Sequence, residues 1–148
     1  MPKLRDTIPT LAVRHLAKAV AFYAEKLGFV ARHQEEGFAI VCRDAAEIHL
    51  TQLNDERWKE RRDFRERPVL SGAESFLSGT GACRIRVEGI DDLYAEYQQQ
   101  GVIHPNGDIR DQWWGDRDFG VLDLDRNALT FFEPKALQLA RDQLRLSK

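Results

Sequence analysis

Residues 11–23, LAVRHLAKAVAFY, and residues 85–97, IRVEGIDDLYAEY, are two copies of one pattern. Laid over each other they pair Leu11 with Ile85, Val13 with Val87, Leu16 with Ile90, Ala21 with Ala95 and Tyr23 with Tyr97. Each copy reads as strand, turn, helix, and a duplicated unit constrains architecture more tightly than local propensity does. The copying continues downstream. FAIVCRDAAEIHL, residues 38–50, lies over FGVLDLDRNALTF, residues 119–131, pairing Phe38 with Phe119, Ile40 with Val121, Asp44 with Asp125, Ile48 with Leu129 and Leu50 with Phe131. Both stretches read as hairpins, with a turn-favouring Asp between apolar strands.

The helices carry their own punctuation. Each stops at a glycine followed by an apolar residue, Gly28-Phe29 and Gly101-Val102, as a left-handed cap handing the chain to a strand requires. Leu16, Ala19, Val20, Tyr23 and Leu27 form an i, i+3, i+4 stripe that predicts one buried face on the first helix. Asp91 or Asp92 is the expected N-cap of the second helix, and His15 stands at the corresponding place of the first. The expected fold class is therefore α+β: two tandem βαβββ modules, residues 7–53 and 82–133, within a single domain.

Between the modules lies an insert, 54–80. Its first part, DERWKERRDFRER (55–67), nearly balances acids and bases and predicts a solvated, salt-bridged surface segment; its second part, PVLSGAESFLSGTG (68–81), reads as loop with at most one strand. The tail from Pro134 to Lys148 predicts a C-terminal helix, with Leu137, Leu144 and Leu146 spaced by charges. Its residues suit packing either on its own subunit or on a partner.

Length and charge narrow the function classes. The chain has 148 residues, 43% of them hydrophobic and 31% charged, which suits one globular domain with a sizeable core. Its 22 Lys and Arg against 24 Asp and Glu leave a net charge of −2, with no field to recruit nucleic acid or an anionic membrane. The N-terminal MPKLRDTIPTLAV lacks the apolar core of a signal peptide, no run is long enough to span a membrane, and a cytoplasmic protein is expected. Cys42 and Cys83, far apart and outside metal-type spacing, read as reduced thiols or as one bridge.

In order along the chain, IPTLAVRHLAKAVAFYAEKLGF, FAIVCRD, GIDDLYAEY, QWWG and LDLDRNALTFF resemble the successive blocks of the bleomycin-resistance proteins, within the vicinal oxygen chelate superfamily that includes glyoxalases and extradiol dioxygenases. The resemblance covers most of the chain except the insert and the tail. It implies a half-open sheet around a cleft and a homodimer with ligand clefts at its interface. It also implies an N-terminal arm that often crosses to the partner. Pro9 then marks either the hinge of that arm or the start of an edge strand.

Metal-dependent members take ligands from four cognate strand positions, which here hold Ile8, His49, Ala82 and Thr130. A lone imidazole does not make a metal site, so no cofactor is expected and His49 is left to bond locally or to line the cleft. His15, His33 and His104 are scattered, and Ser71, Ser75 and Ser78 lack a nucleophile-elbow motif. The segment DQWWGDRDF, 111–119, is the most informative for binding. If extended, it sends one Trp into the cleft and the other to the core or a partner. The resemblance chooses Trp114, just before Gly115, as the aromatic that stacks on the planar heteroaromatic part of a bleomycin-type antibiotic.

Phe38 and Thr51 match cleft positions too, as apolar wall and small hydroxyl. The departures are His33 and Arg84, which replace cleft aromatics, and Arg32, which stands where a relative carries an acid. Added arginines on a nearly neutral protein argue against easy capture of a cationic drug. Arg61, Arg62 and Arg65 read either as a solvated face or as an anion clamp. The expected function is metal-independent sequestration of such a ligand. The alternatives are a glyoxalase- or dioxygenase-type enzyme with a degenerate metal site, and a metabolite-binding accessory protein.

Overall fold

The computed structural model describes residues 1–53, 62–63, 65–68 and 79–148. Two compact units are present, Met1–Gly81 with Leu124–Asn127, and Ala82–Asp123 with Ala128–Lys148. The first runs β1 (Thr10–Val13), α1 (Leu16–Leu27), β2 (Val30–Glu35), β3 (Phe38–Arg43) and β4 (Ala46–Gln52). The second runs β5 (Ala82–Arg86), α2 (Ile90–Gln100), β6 (Arg110–Asp111), β7 (Asp116–Leu122), β8 (Ala128–Pro134) and a third helix, α3 (Lys135–Leu146). Each unit thus holds one βαβββ run and one four-stranded mixed sheet, ordered β1-β4-β3-β2 and β5-β8-β7-β6.

The repeat extends to strand register. The first strand of each run pairs in parallel with the last, setting Leu11 opposite Leu50 and Ile85 opposite Phe131, the residues that the sequence overlay equates. Strand alternation then sorts the side chains of each sheet between two faces. In the first unit Ala39, Val41, Ile48 and Leu50 are buried on the helix side with Leu16, Ala19, Tyr23 and Leu27 of α1. In the second, Val121, Leu129 and a stacked pair of rings, Phe119 and Phe131, form the core with Tyr97.

Both helices end at their glycines, Gly28 and Gly101, in the left-handed conformation. Their N-termini are capped otherwise than expected. His15 stands at the N-cap of α1 but makes no side-chain cap; Gln52 Oε1 accepts the Leu16 N–H instead, at 3.0 Å. Asp91 and Asp92 already lie inside the first turn of α2, behind an N-cap at Gly89, and the capping acceptor is Glu133, whose oxygens take the N–H of Gly89 and Ile90. Strand ends brought in by the fold do what the local residues were expected to do.

The second copy is not a replica. Where the first has a six-residue β2, the second has a two-residue β6 and one isolated bridge, Ile103 with Val121. The chain there turns through Pro105, which has no N–H to donate, and Gly107 packs against Gly120 so tightly that an added Cβ would lie 2.9 Å from its backbone.

The tail is helical, and α3 sits on its own unit by polar contacts: Gln138 Nε2 donates to Asp91 at 2.7 Å, and Arg141 pairs with Glu133. Leu137, Leu139, Leu144 and Leu146 remain exposed. In the insert, Arg67 pairs with Asp63 at 3.5 Å on an exposed surface, which agrees with a salt-bridged segment. Arg62 and Arg65 lie in the same exposed stretch. Trp58, Arg61, Phe64, Ser71, Ser75 and Ser78 lie outside the described residues. No helix among the described residues is long and apolar enough to cross a membrane.

Candidate functional site

The expected binding residues fall into two groups, one on the open sheet face of each unit. In the first unit the face away from α1 carries Phe38, Ile40 and Cys42 of β3 opposite Thr51, His49 and Glu47 of β4, all half-buried. Phe38 is the centre of this face. Its ring meets His49 edge-on at 5.2 Å and lies 6.1 Å from His33. A bulge in β2 between Ala31 and His33 makes Arg32 the extra residue, so that His33 pairs with Ile40 and joins Phe38 on the open face. His33, which replaces a cleft aromatic in the resemblance, thus stands beside Phe38.

His49 bonds locally, as one of its two readings had it: Nε2 lies 2.9 Å from Glu47 Oε2. The other Glu47 oxygen accepts from Arg32 at 2.7 Å. The His49 hydrogen bond, followed by the charge of Arg32, holds the Glu47 carboxyl below its usual range. Glu47 was not singled out from sequence, although its place two residues before His49 on a strand puts both on one face. A shallow hollow of about 570 Å³ also opens on this unit, lined by Leu16, Ala17, Gln34, Glu35, Gly37 and Gln52. None of the expected site residues lines it, and it offers no aromatic surface.

Among the described residues no group of three or more His, Cys, Asp or Glu side chains is placed to hold a metal ion. The donor set at the four cognate positions does not fit one either. Ile8 and Ala82 have no donor atom, and Thr130 offers a single hydroxyl. Cys42 and Cys83 are free thiols, one in each unit.

The second group is built on the loop between β6 and β7. Trp113 and Trp114 do not lie on an extended strand, so the alternating placement expected for them is replaced by a turn. The Gly115 N–H closes it onto the Gln112 carbonyl at 3.1 Å, and Gly115 has φ +99°, a backbone that side-chain-bearing residues rarely adopt. Both indoles therefore project outward, edge to face with ring centres 5.5 Å apart, Trp113 91% and Trp114 48% exposed. Neither is in the core.

Among the described residues the Trp113 indole has no hydrogen bond, and Trp114 is held by one. Its Nε1–H donates to Asp116 Oδ2 at 3.0 Å. The same oxygen accepts from Arg84 Nη2 at 3.3 Å, and the Arg84 guanidinium lies 4.7 Å from the centre of the Phe132 ring. Trp114, Gly115 and Arg84 are thus brought together through Asp116, a residue the sequence reading passed over. Phe38, Thr51 and His49 share the other face.

Comparison with known proteins gives one family. The profile of the "Glyoxalase/Bleomycin resistance protein/Dioxygenase superfamily" matches residues 7–131. Curated proteins called bleomycin resistance protein, from Geobacillus stearothermophilus and from Staphylococcus aureus strain MRSA252, are each 46% identical over 128 residues, 86% of this chain and 96% of theirs. Among solved structures, the bleomycin resistance determinant encoded on transposon Tn5 superposes with a TM-score of 0.64 at 19% identity, covering 89% of this chain and 99% of that one. The bleomycin-binding protein of Streptomyces verticillus, solved with copper(II)-bleomycin, superposes with a TM-score of 0.63 at 21% identity, covering 88% and 97%. These two likenesses bear on the fold, and the sequence profile and the curated relatives together show that this chain belongs to the glyoxalase/bleomycin resistance protein/dioxygenase superfamily.

Proposed function

We propose that the protein binds and sequesters a bleomycin-type antibiotic in the cytoplasm, working as a homodimer and without covalent chemistry. The observation that carries the reading is Trp114: a flat indole, half exposed and fixed by its N–H to Asp116, in a chain 46% identical to curated bleomycin resistance proteins. A planar heteroaromatic group gains most from a ring that is already held in place, because little rotamer freedom is lost on stacking. In this reading Trp114 supplies the stacking face, Gly115 aims it and Arg84 over Phe132 extends the flat wall. Phe38, His49 and Thr51, on the open face of module 7–53, supply an apolar wall with two polar edges. Module 82–133 carries the stacking group.

Protection by sequestration follows mass action. With free binding sites at a hundred times Kd, free drug falls to roughly one hundredth of the total. Abundance and affinity, not turnover, then set the level of resistance. In this reading the residues before Pro9 are available to a partner: Leu4 is fully exposed, and Pro9 directly precedes edge strand β1, its carbonyl accepting the His49 N–H at 3.0 Å. The test is calorimetric titration with metal-free and with copper-loaded bleomycin, beside the Trp114→Ala variant. A dissociation constant in the micromolar range or tighter, weakened about tenfold or more by Trp114→Ala, is expected. Absence of binding by the intact protein overturns the assignment.

A further inference from the structure

Arg84 and Trp114 converge on one oxygen atom, Asp116 Oδ2, at 3.3 Å and 3.0 Å. An arginine beside a stacking face is a permanent positive charge, since guanidinium does not deprotonate in proteins. Left alone it would repel a cationic ligand. Here it is not alone: Asp116, whose side chain is only 19% exposed, supplies the opposite charge, and the guanidinium carbon sits over the Phe132 ring, 4.7 Å from its centre. The first unit repeats the device, Arg32 being paired with Glu47 at 2.7 Å. Each of these arginines therefore brings a carboxylate with it.

We propose that Asp116 is the built-in counter-ion of Arg84, which makes the patch beside Trp114 accept a planar cation that an unpaired arginine would turn away. The inference rests on Trp114 being the stacking face. Asp116 acts through its neighbours and so is a positioning residue: it fixes the indole by one hydrogen bond and cancels the arginine charge by another. Asp116→Asn separates the two tasks, because the amide oxygen still accepts the Trp114 N–H while the negative charge is gone.

The experiment titrates wild type, Asp116→Asn and Asp116→Asn/Arg84→Gln with bleomycin, and in parallel with thioflavin T, a planar heteroaromatic cation. Asp116→Asn is expected to weaken binding about tenfold at low salt, the scale of one uncompensated charge within several ångströms of another. The gap should shrink as salt rises to about 0.5 M, where the screening length falls well below the width of the site. The double variant should recover at least half of the lost factor on a logarithmic scale. An Asp116→Asn variant that binds like wild type overturns the proposal. So does a loss that neither salt nor Arg84→Gln relieves, because a merely structural defect behaves that way. If wild type binds the dye and not bleomycin, the drug assignment fails while the dye series still decides the role of Asp116. If it binds neither, both fall.

Discussion

Gln52 and Glu133 hold the same place in the two halves of the repeat, at or next to the end of the last strand of each βαβββ run, and each caps the helix of its own unit. Gln52 accepts the Leu16 N–H at 3.0 Å; Glu133 accepts the N–H groups of Gly89 and Ile90 at 3.3 and 3.4 Å. The first cap is neutral and exposed, and among the described residues it has no ion partner. The second is a carboxylate 1% exposed, and it has Arg141 of α3 as its ion partner. Burying that charge is tolerable because a helix N-terminus and a guanidinium both face it. The C-terminal helix therefore packs with its polar side inward.

Replacing Glu133 is expected to be costly in proportion to what is left unpaired. Glu133→Ala strands two amides and one arginine and should lose ~3 kcal/mol or more, by the cost of breaking a buried ion pair. Glu133→Gln imitates the Gln52 cap and should lose about half as much. Urea denaturation reads both as a shift in midpoint at constant slope. An alanine variant within ~0.5 kcal/mol of wild type would contradict this account.

Acid sensitivity follows from the same group with its sign fixed. Burial opposes ionisation of Glu133, but the Arg141 hydrogen bond and the two backbone amides outweigh it, holding its carboxyl below the ordinary glutamate value. A carboxylate depressed in the folded state contributes stability in full above its unfolded pKa of about 4.3 and loses it as pH falls through the folded value. The melting temperature should thus be flat from neutral pH to about 5 and drop below about 4, less steeply in Glu133→Gln. An equal acid slope in both proteins would assign the effect to other carboxylates, such as Asp111 and Glu47, which are depressed too.

Thiol chemistry gives a third check. Burial, with the charge of Asp123 adding to it, pushes the Cys83 thiol up to about 11. At pH 8 it would carry roughly two hundredfold less thiolate than a free cysteine. In a Cys42→Ser background, Cys83 should react with Ellman's reagent far more slowly than free cysteine and reach its full rate only after denaturation. A native rate close to that of the free amino acid would disprove it.

The fold was legible because the repeat wrote it twice. Leu11 faces Leu50 across the parallel strands of the first sheet as their repeat counterparts, Ile85 and Phe131, face each other in the second, and both helices stop at their glycines. Less legible was everything fixed by long-range contact. Glu133 lies more than forty residues from the amides it caps, so no local rule could favour it over Asp91. The site was half readable. Trp114 and Gly115 announce themselves as a dipeptide, but Asp116 matters because the fold delivers Arg84 to it from β5. The charge argument from Arg32 and Arg84 failed to count their partners, since Glu47 and Asp116 reach them only once the sheets are formed.

The turn that presents the two indoles depends on Gly115 for its backbone alone. At φ +99° a side chain is strained, although a Cβ there would meet nothing within 4 Å. Gly115→Ala should therefore cost about 1–2 kcal/mol, and chiefly locally, because the turn can relax while the sheet stays intact. Relaxation would break the closing bond to Gln112 and detach the Trp114 N–H from Asp116. In a Trp58→Phe/Trp113→Phe background, where Trp114 is the sole indole, this predicts red-shifted emission and greater quenching by acrylamide in Gly115→Ala, with a small change in the urea midpoint. The strain account also predicts that Gly115→Asn is milder than Gly115→Ala, asparagine being more tolerant of positive φ. If both variants keep the emission of the parent, the glycine is not what aims the ring.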